Sequence, residues 1–142
     1  MTSEPSPHYV DLHVGARLRL RRRAQGLSQT ALAQAVGLTF QQLQKYERGT
    51  NRISASKLYA MAALMRTPVD WFFEGLPDPA SPNSARADEA ERRARVTQAF
   101  LISAEGLELA QGFPDLPPSA RRHILELMRA LAETDLVNPG PD

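Results

Sequence analysis

Side chains able to hydrogen-bond a macromolecular surface gather in the stretch TFQQLQKYERG, residues 39–49. The amides of Gln41 and Gln44 can each donate and accept a hydrogen bond, the combination that suits adenine N6 and N7. Lys45 can donate to guanine O6 or N7, or to a phosphate oxygen. Phe40 could pack on a thymine methyl, or instead make a hydrophobic contact with a neighbouring helix. Phe40, Gln41, Gln44 and Lys45 are therefore candidates for reading DNA bases.

Two short helices joined by a tight turn must position these side chains. Ser28 is a helix-capping residue for the first, and Gly37 offers the unhindered backbone that ends it. Thr39 caps the second, and Gln42, three residues later, completes a capping box and is expected to serve that helix terminus. Gly49 ends the second helix. This pattern predicts a helix-turn-helix, which places its second helix in the DNA major groove.

Four elements in order resemble the phage repressor and Cro (XRE) family of DNA-binding domains. They are Gly26-Leu27-Ser28-Gln29, the Ala33 to Gly37 spacing, Tyr46-Glu47-Arg48-Gly49, and Pro68-Val69-Asp70-Trp71-Phe72-Phe73. The resemblance runs from about Val14 to Gly75. It implies an all-α fold: a five-helix helix-turn-helix domain, here followed by a helical C-terminal extension.

The extension carries a second resemblance. Residues Arg121 to Ala132, RRHILELMRALA, are similar to the ending of a group of alphaproteobacterial regulators with TFQQLQKYERG-like recognition helices. That likeness implies a regulator of cell physiology rather than a phage switch.

Phosphate contacts are expected from the flanks of the motif. Gln29 begins the first motif helix, where its side chain and exposed N–H groups could meet one phosphate, as the resemblance also implies. The resemblance further implies that Arg22 pairs with Glu47 and stays near the DNA backbone. Losing one partner of such a pair should cost ~3 kcal/mol. For Arg19 and Arg23 two alternatives remain: a side chain that faces solvent or one that faces DNA. The phosphate candidates are Gln29, Thr39, Arg22, Arg48, Asn51 and Arg52.

Charge is unevenly distributed along a chain whose formal net charge is only +1. Residues Val10 to Gly75 hold ten Lys/Arg against four Asp/Glu, whereas the rest holds seven against twelve. The positive charge therefore lies in the helix-turn-helix segment, as phosphate binding requires.

The positions of proline and glycine divide the chain into five predicted segments. Residues 1–9 form a disordered arm, 10–75 the DNA-binding domain, 76–87 a proline-rich linker, 88–136 a C-terminal helical region, and 137–142 a tail. The predicted domain helices beyond the motif cover about Asp11 to Gln25, a stretch capped by Ser54, and one beginning at Pro68. Two more helices are predicted over about Asp88–Gln111 and Pro117–Thr134.

Apolar residues near the two ends of the chain have different expected roles. Trp71 and Phe72 are expected to seal the domain core rather than to line a ligand pocket. The C-terminal helices are too short for a core of their own, so they must pack on the domain, on each other or on a second copy. An apolar stripe on the last helix is the candidate dimer interface: Ile124, Leu127, Met128 and Leu131.

Other classes of protein fit the sequence less well. Only His8, His13 and His123 are present, far apart, with no cysteine, metal-ligand spacing or phosphate-cradling glycine loop, so no enzyme, metal or cofactor is expected. A self-cleaving repressor needs a serine–lysine pair, and no lysine follows Lys57. The absence of cysteine, of a long apolar run and of a signal-peptide pattern favours the bacterial cytoplasm, on the nucleoid through DNA binding.

The sequence thus predicts a homodimeric, sequence-specific regulator that binds double-stranded DNA at a two-fold symmetric operator, as a repressor. Dimers of this kind read half-sites ~34 Å apart or a multiple of it. The alternative is a protein-interaction module, an antitoxin or anti-activator acting through its C-terminal helices on a protein partner. Salt dependence separates the two, because phosphate binding weakens steeply with salt and an apolar interface does not.

Overall fold

The computed structural model describes residues 6–81 and 83–137, and within them every regular element is helical. The chain divides into two compact units, Met1–Leu107 and Glu108–Asp142. The helices are α1 (Tyr9–Ala24), α2 (Gln29–Ala35), α3 (Phe40–Arg48), α4 (Ala55–Leu64), α5 (Ser84–Ile102), α6 (Ala104–Gly112) and α7 (Pro118–Val137). Two 3₁₀ helices cover Val69–Phe73 and Phe113–Asp115. The predicted all-α class is confirmed.

Side-chain caps begin the helices of the motif where the sequence places them. Ser28, Thr39 and Ser54 accept hydrogen bonds from the backbone N–H groups three residues later and so begin α2, α3 and α4. Each cap satisfies a donor that has no partner inside its own helix. The capping box is complete, since Gln42 Oε1 accepts from the Thr39 N–H at 2.9 Å. Gly49, with φ +73°, ends α3 in the left-handed conformation that glycine tolerates.

The core of the first unit lies between α1, the motif helices, α4 and the first 3₁₀ helix. Its largest fully buried apolar side chains are Leu18, Leu32, Leu43, Met61, Met65 and Phe72. The predicted fifth helix is this short 3₁₀ helix, and Phe72 seals the core from it as expected. Trp71 is half-buried under the guanidinium of Arg17, 3.9 Å from the ring centroid, a cation–π contact.

Two helices replace the single helix predicted over about Asp88–Gln111. The break lies at Ser103, whose backbone is extended and whose hydroxyl accepts from the Gly106 N–H at 2.9 Å. A Cβ at Gly106 would lie only 1.9 Å from the Phe100 carbonyl oxygen, so only glycine fits this sharp turn. α5 also begins at Ser84, inside the predicted linker.

α5 packs along α1 within the first unit, and two alanines form part of its buried face. Ala90, Ala94, Gln98 and Leu101 are buried, whereas the larger Val96 and Phe100 are exposed. Of the apolar residues in the predicted Asp88–Gln111 helix, Leu107 is buried, whereas Val96, Ala99, Phe100 and Ile102 are exposed. The short alanine side chains let the two helix backbones approach, and this proximity decides which face is buried.

The second unit contains α7, which begins with Pro118, a residue favoured in the first turn of a helix. Leu127, Met128 and Leu131 are exposed on it, and Ile124 is half-buried. Of the predicted arm and tail, residues 1–5 and 138–142 lie outside the described residues. None of the described helices combines the length and apolar character needed to cross a membrane.

Candidate DNA-binding surface

The Glu47 carboxylate anchors the recognition helix α3 to two neighbouring helices. Arg22 of α1 pairs with it through Nε and Nη2, and Nη1 of the same guanidinium donates to the Leu27 carbonyl at 2.7 Å. Gln29 of α2 donates to Glu47 Oε2 at 2.7 Å. Glu47 and Arg22 are only 1% and 2% exposed, so each charge depends on the other for compensation. The pairing implied by the resemblance is confirmed.

The outer face of α3 presents the four base-reading candidates together. Gln41 and Lys45 are exposed, Phe40 is 44% exposed, and Gln44 is half-buried. Leu43 lies on the opposite side, in the core. The amides and the ammonium therefore lie on a surface that a major groove could receive.

Two polar hollows lie along one edge of this face and share the side chains of Arg19 and Gln29. One, the Phe40 hollow, measures about 300 Å³ and is lined by Arg19, Arg22, Arg23, Ser28, Gln29, Thr30 and Phe40. The other, the Arg48 hollow, measures about 240 Å³ and is lined by Arg19, Gln29, Gln44, Glu47, Arg48 and Ile102. The arginines of the two hollows give a basic surface beside the recognition helix that suits phosphate oxygens.

The remaining phosphate candidates differ in how exposed they are and in whether their polar atoms already bond to other protein groups. Arg48 is exposed at the last position of α3, and Asn51 is exposed beyond its end. Arg52 is exposed, with a long 3.8 Å pairing to Asp11. The Thr39 hydroxyl caps α3. Arg22, although it lines the Phe40 hollow, uses its guanidinium in the buried ion pair.

Two polar residues at this surface were not assigned by sequence reasoning. The Arg19 Nε donates to the carbonyl of Leu101, at the end of α5, at 2.9 Å. Burial lowers the pKa of the Arg19 guanidinium, and the Glu47 carboxylate opposes that shift; an arginine remains charged in either case. The second residue is Gln98, 5% exposed, which contacts the end of α3. Its only signal in the sequence is a lone amide spaced four residues after Ala94.

Comparison with known proteins agrees with this geometry. A family model described as helix-turn-helix matches residues 18–72. An uncharacterized HTH-type transcriptional regulator of Sinorhizobium medicae is 41% identical over 131 residues, 92% of this chain and 94% of the relative. A transcriptional regulator in the ATPase CF(0) region of Rhodospirillum rubrum is 56% identical over 69 residues, 49% of this chain and 64% of the relative. The HTH-type transcriptional regulator DicA of Escherichia coli is 27% identical over 122 residues, covering 84% and 81%. No solved structure matches the chain.

The fold and this surface define a helix-turn-helix DNA-binding protein. The chain belongs to the XRE-type helix-turn-helix family of transcriptional regulators.

Proposed function

We propose that this regulator represses transcription as a homodimer bound to a two-fold symmetric operator in double-stranded DNA. The observation that carries the proposal is the exposed face of α3, where Gln41 and Lys45 lie beside Phe40 and Gln44, which line two arginine-containing hollows. Such a surface combines donors and acceptors for base edges with positive charge for the backbone. In this proposal the protein acts in the cytoplasm by occupying a promoter. Occupancy alone blocks polymerase, so no catalysed reaction is needed.

Base reading and phosphate binding fall to different side chains in this proposal. Gln41 and Lys45 read base edges, with Gln44 beside them and Phe40 against a thymine methyl. Phosphates are held along the flanks by Gln29, Thr39, Arg48, Asn51 and Arg52, with Arg22 close behind. The Gln29 amide nitrogen carries two N–H groups. One donates to Glu47, so a phosphate contact would use the other.

Dimerisation is assigned to α7. Three large apolar side chains, Leu127, Met128 and Leu131, are exposed at helical spacing, and Ile124 is half-buried beside them. Exposed apolar surface of this kind is stabilised when a second copy covers it around a two-fold axis. A dimer also doubles the number of base pairs read, which a single recognition helix cannot do.

The same stripe on α7 supports a second candidate function. An apolar helix face can equally bind a protein partner, as an antitoxin or anti-activator would. In that case α7 is the functional site, and DNA binding is secondary.

Selection of bound sequences from a random DNA pool, at two salt concentrations, tests the proposal. We expect a two-fold symmetric motif whose half-sites lie about one helical turn apart. Gln41→Ala should then lose roughly 1–3 kcal/mol of discrimination at one base pair in each half-site. Gln34→Ala, the same change at an exposed position of α2, is the matched control and should retain the motif. Equal losses on every sequence would refute base reading by Gln41. A pool without any motif would favour the protein-partner function.

A further inference from the structure

α5 lies outside the segment matched by the family model, residues 18–72, yet it packs against that segment's framework. Ala90 and Ala94 are buried in this contact, and Leu101 is buried two residues before the break at Ser103. At the end of α5, Ile102 lines the Arg48 hollow beside the recognition helix. The helix therefore runs from the linker to the edge of the candidate DNA-binding surface.

α1 and α3 touch backbone to backbone where α5 meets them. A Cβ at Gly15 would lie 2.3 Å from the Tyr46 carbonyl oxygen, and one at Gly49 would lie 2.7 Å from the Leu12 Cα. Both contacts are closer than any side chain allows. The Glu47 carbonyl, in the last turn of α3, lies at this contact without a donor from its own helix, so its hydrogen bond comes from a third element.

Gln98 of α5 supplies that third element. Its Nε2 donates to the Leu12 carbonyl of α1 at 3.0 Å and to the Glu47 carbonyl of α3 at 2.8 Å. Glu47 lies in the last turn of α3, where carbonyls lack a donor from their own helix. One amide thus ties α1 to the end of the recognition helix. Both acceptors are carbonyls, so only the NH₂ group can face them.

A second contact holds α5 to the same surface. The Arg19 Nε donates to the Leu101 carbonyl, and Arg19 lines both hollows. α5 therefore contacts the end of the recognition helix at Gln98 and orients a hollow-lining arginine at Leu101. Glu47 is consequently restrained through its carboxylate by α1 and α2 and through its carbonyl by α5.

We propose that α5 is a brace for the recognition helix, and that Gln98 is a positioning residue for base reading. This inference rests on the proposed function, because it concerns how α3 is oriented for DNA. Gln98 touches no base; it holds the angle between α3 and α1 on which hydrogen bonds to base edges depend. Phosphate contacts tolerate small shifts of that angle better than bidentate base contacts, so the brace acts on sequence discrimination more than on total affinity.

The test uses the full-length chain with Gln98→Met, which keeps the side-chain length and removes both donors. The change also removes Gln98 Oε1, a buried acceptor without a partner among the described residues, so it leaves no new unpaired group on residue 98. Gln111→Met, at an exposed position of α6, is the matched control. Affinity is measured by fluorescence anisotropy on the selected operator and on scrambled DNA, across salt concentrations. Amide hydrogen exchange of α3 is measured without DNA.

We expect Gln98→Met to weaken operator binding roughly tenfold, the scale of a lost base contact, with scrambled-DNA affinity and salt slope unchanged. Exchange should accelerate in the last turn of α3 and not in α4. Unchanged operator affinity would overturn the brace. Equal losses of affinity for operator and scrambled DNA, in proportion to a smaller fraction of folded protein, would overturn it as well. If Gln98→Met does not fold, Gln98→Asn, whose shorter amide cannot span both carbonyls, serves for the same measurements.

Failure of the brace and failure of the proposed function give different results. If the unmodified protein selects no operator, the proposed function fails, and the exchange experiment alone judges the brace. Unaltered exchange in α3 then refutes it. If the unmodified protein selects an operator and Gln98→Met reads it equally well, only the brace is refuted.

Discussion

α5 and α7 both follow the helix-turn-helix segment, but they use their apolar residues in opposite ways. α5 buries small residues, Ala90 and Ala94, against α1, and its larger Val96 is exposed. α7 exposes its large residues, with Leu127 61% exposed. A helix outside the family segment is therefore part of the unit that carries the helix-turn-helix, whereas α7 leaves its large apolar residues exposed. The small side chains of Ala90 and Ala94 let α5 pack closely on α1, so hydrophobicity alone does not distinguish the two helices.

The largest expected effect on stability concerns the buried ion pair of Arg22 with Glu47, the residue whose carbonyl α5 contacts. Arg22→Met should lower the free energy of unfolding by about 3–5 kcal/mol, because it leaves the Glu47 carboxylate buried without its charged partner. Urea unfolding followed by circular dichroism measures the loss. Arg93→Met, which breaks an exposed pair with Glu89 on α5, is the control and should change stability by less than about 1 kcal/mol. Equal losses in the two variants would contradict the buried anchor.

The next effect belongs to α7. Leu131→Ser, which removes an apolar side chain twice in each dimer, should weaken self-association by about 3 kcal/mol, roughly a hundredfold or more in the dissociation constant. Sedimentation equilibrium measures that constant. Val96→Ser removes a comparably exposed apolar residue from α5 and should leave it unchanged. A dimer that survives the first substitution and dissociates with the second would reverse the comparison.

The smallest effect compares two alanines directly. Ala94→Leu on α5 should cost about 1–3 kcal/mol of unfolding free energy, since a larger side chain cannot fit between α5 and α1. Ala130→Leu, the same change at an exposed position of α7, should alter stability by less than about 0.5 kcal/mol. Thermal and urea unfolding of the two variants decide between these outcomes. A tolerated Ala94→Leu would indicate that α5 packs loosely on α1.

Local signals in the sequence were sufficient for most of the helix-turn-helix. The caps Ser28, Thr39 and Ser54 begin helices where predicted, and Gly49 ends α3. These features depend on hydrogen bonds within three residues, so they can be recognised without knowing the fold. The Arg22–Glu47 pair was implied only by resemblance, because nothing local links residues 25 positions apart.

The extension was predicted less well, for a physical reason visible in particular residues. The apolar residues of this stretch did not indicate its buried face, because Val96 and Phe100 are exposed, whereas the alanines, Gln98 and Leu101 are buried. Which face is buried depends on how α5 packs against α1, a neighbour that is distant in sequence. The helix break at Ser103 was not predicted either. Gly106, three residues later, is by itself a weak signal for a helix end, and only its close contact with the Phe100 carbonyl shows that the turn needs glycine.

The sequence by itself determined the class of fold, the positions of the motif helices, the family and the candidate side chains on α3. Each of these follows from local hydrogen bonding, from periodicity or from matched motifs. Tertiary structure alone decided that α5 belongs to the first unit, that Arg19 contacts Leu101, and that Gln98 joins α1 to the recognition helix. Those contacts span 51 to 86 residues of chain, and the two made by Gln98 lie where Gly15 and Gly49 bring the backbones of α1 and α3 together, a proximity that no local stretch of sequence contains.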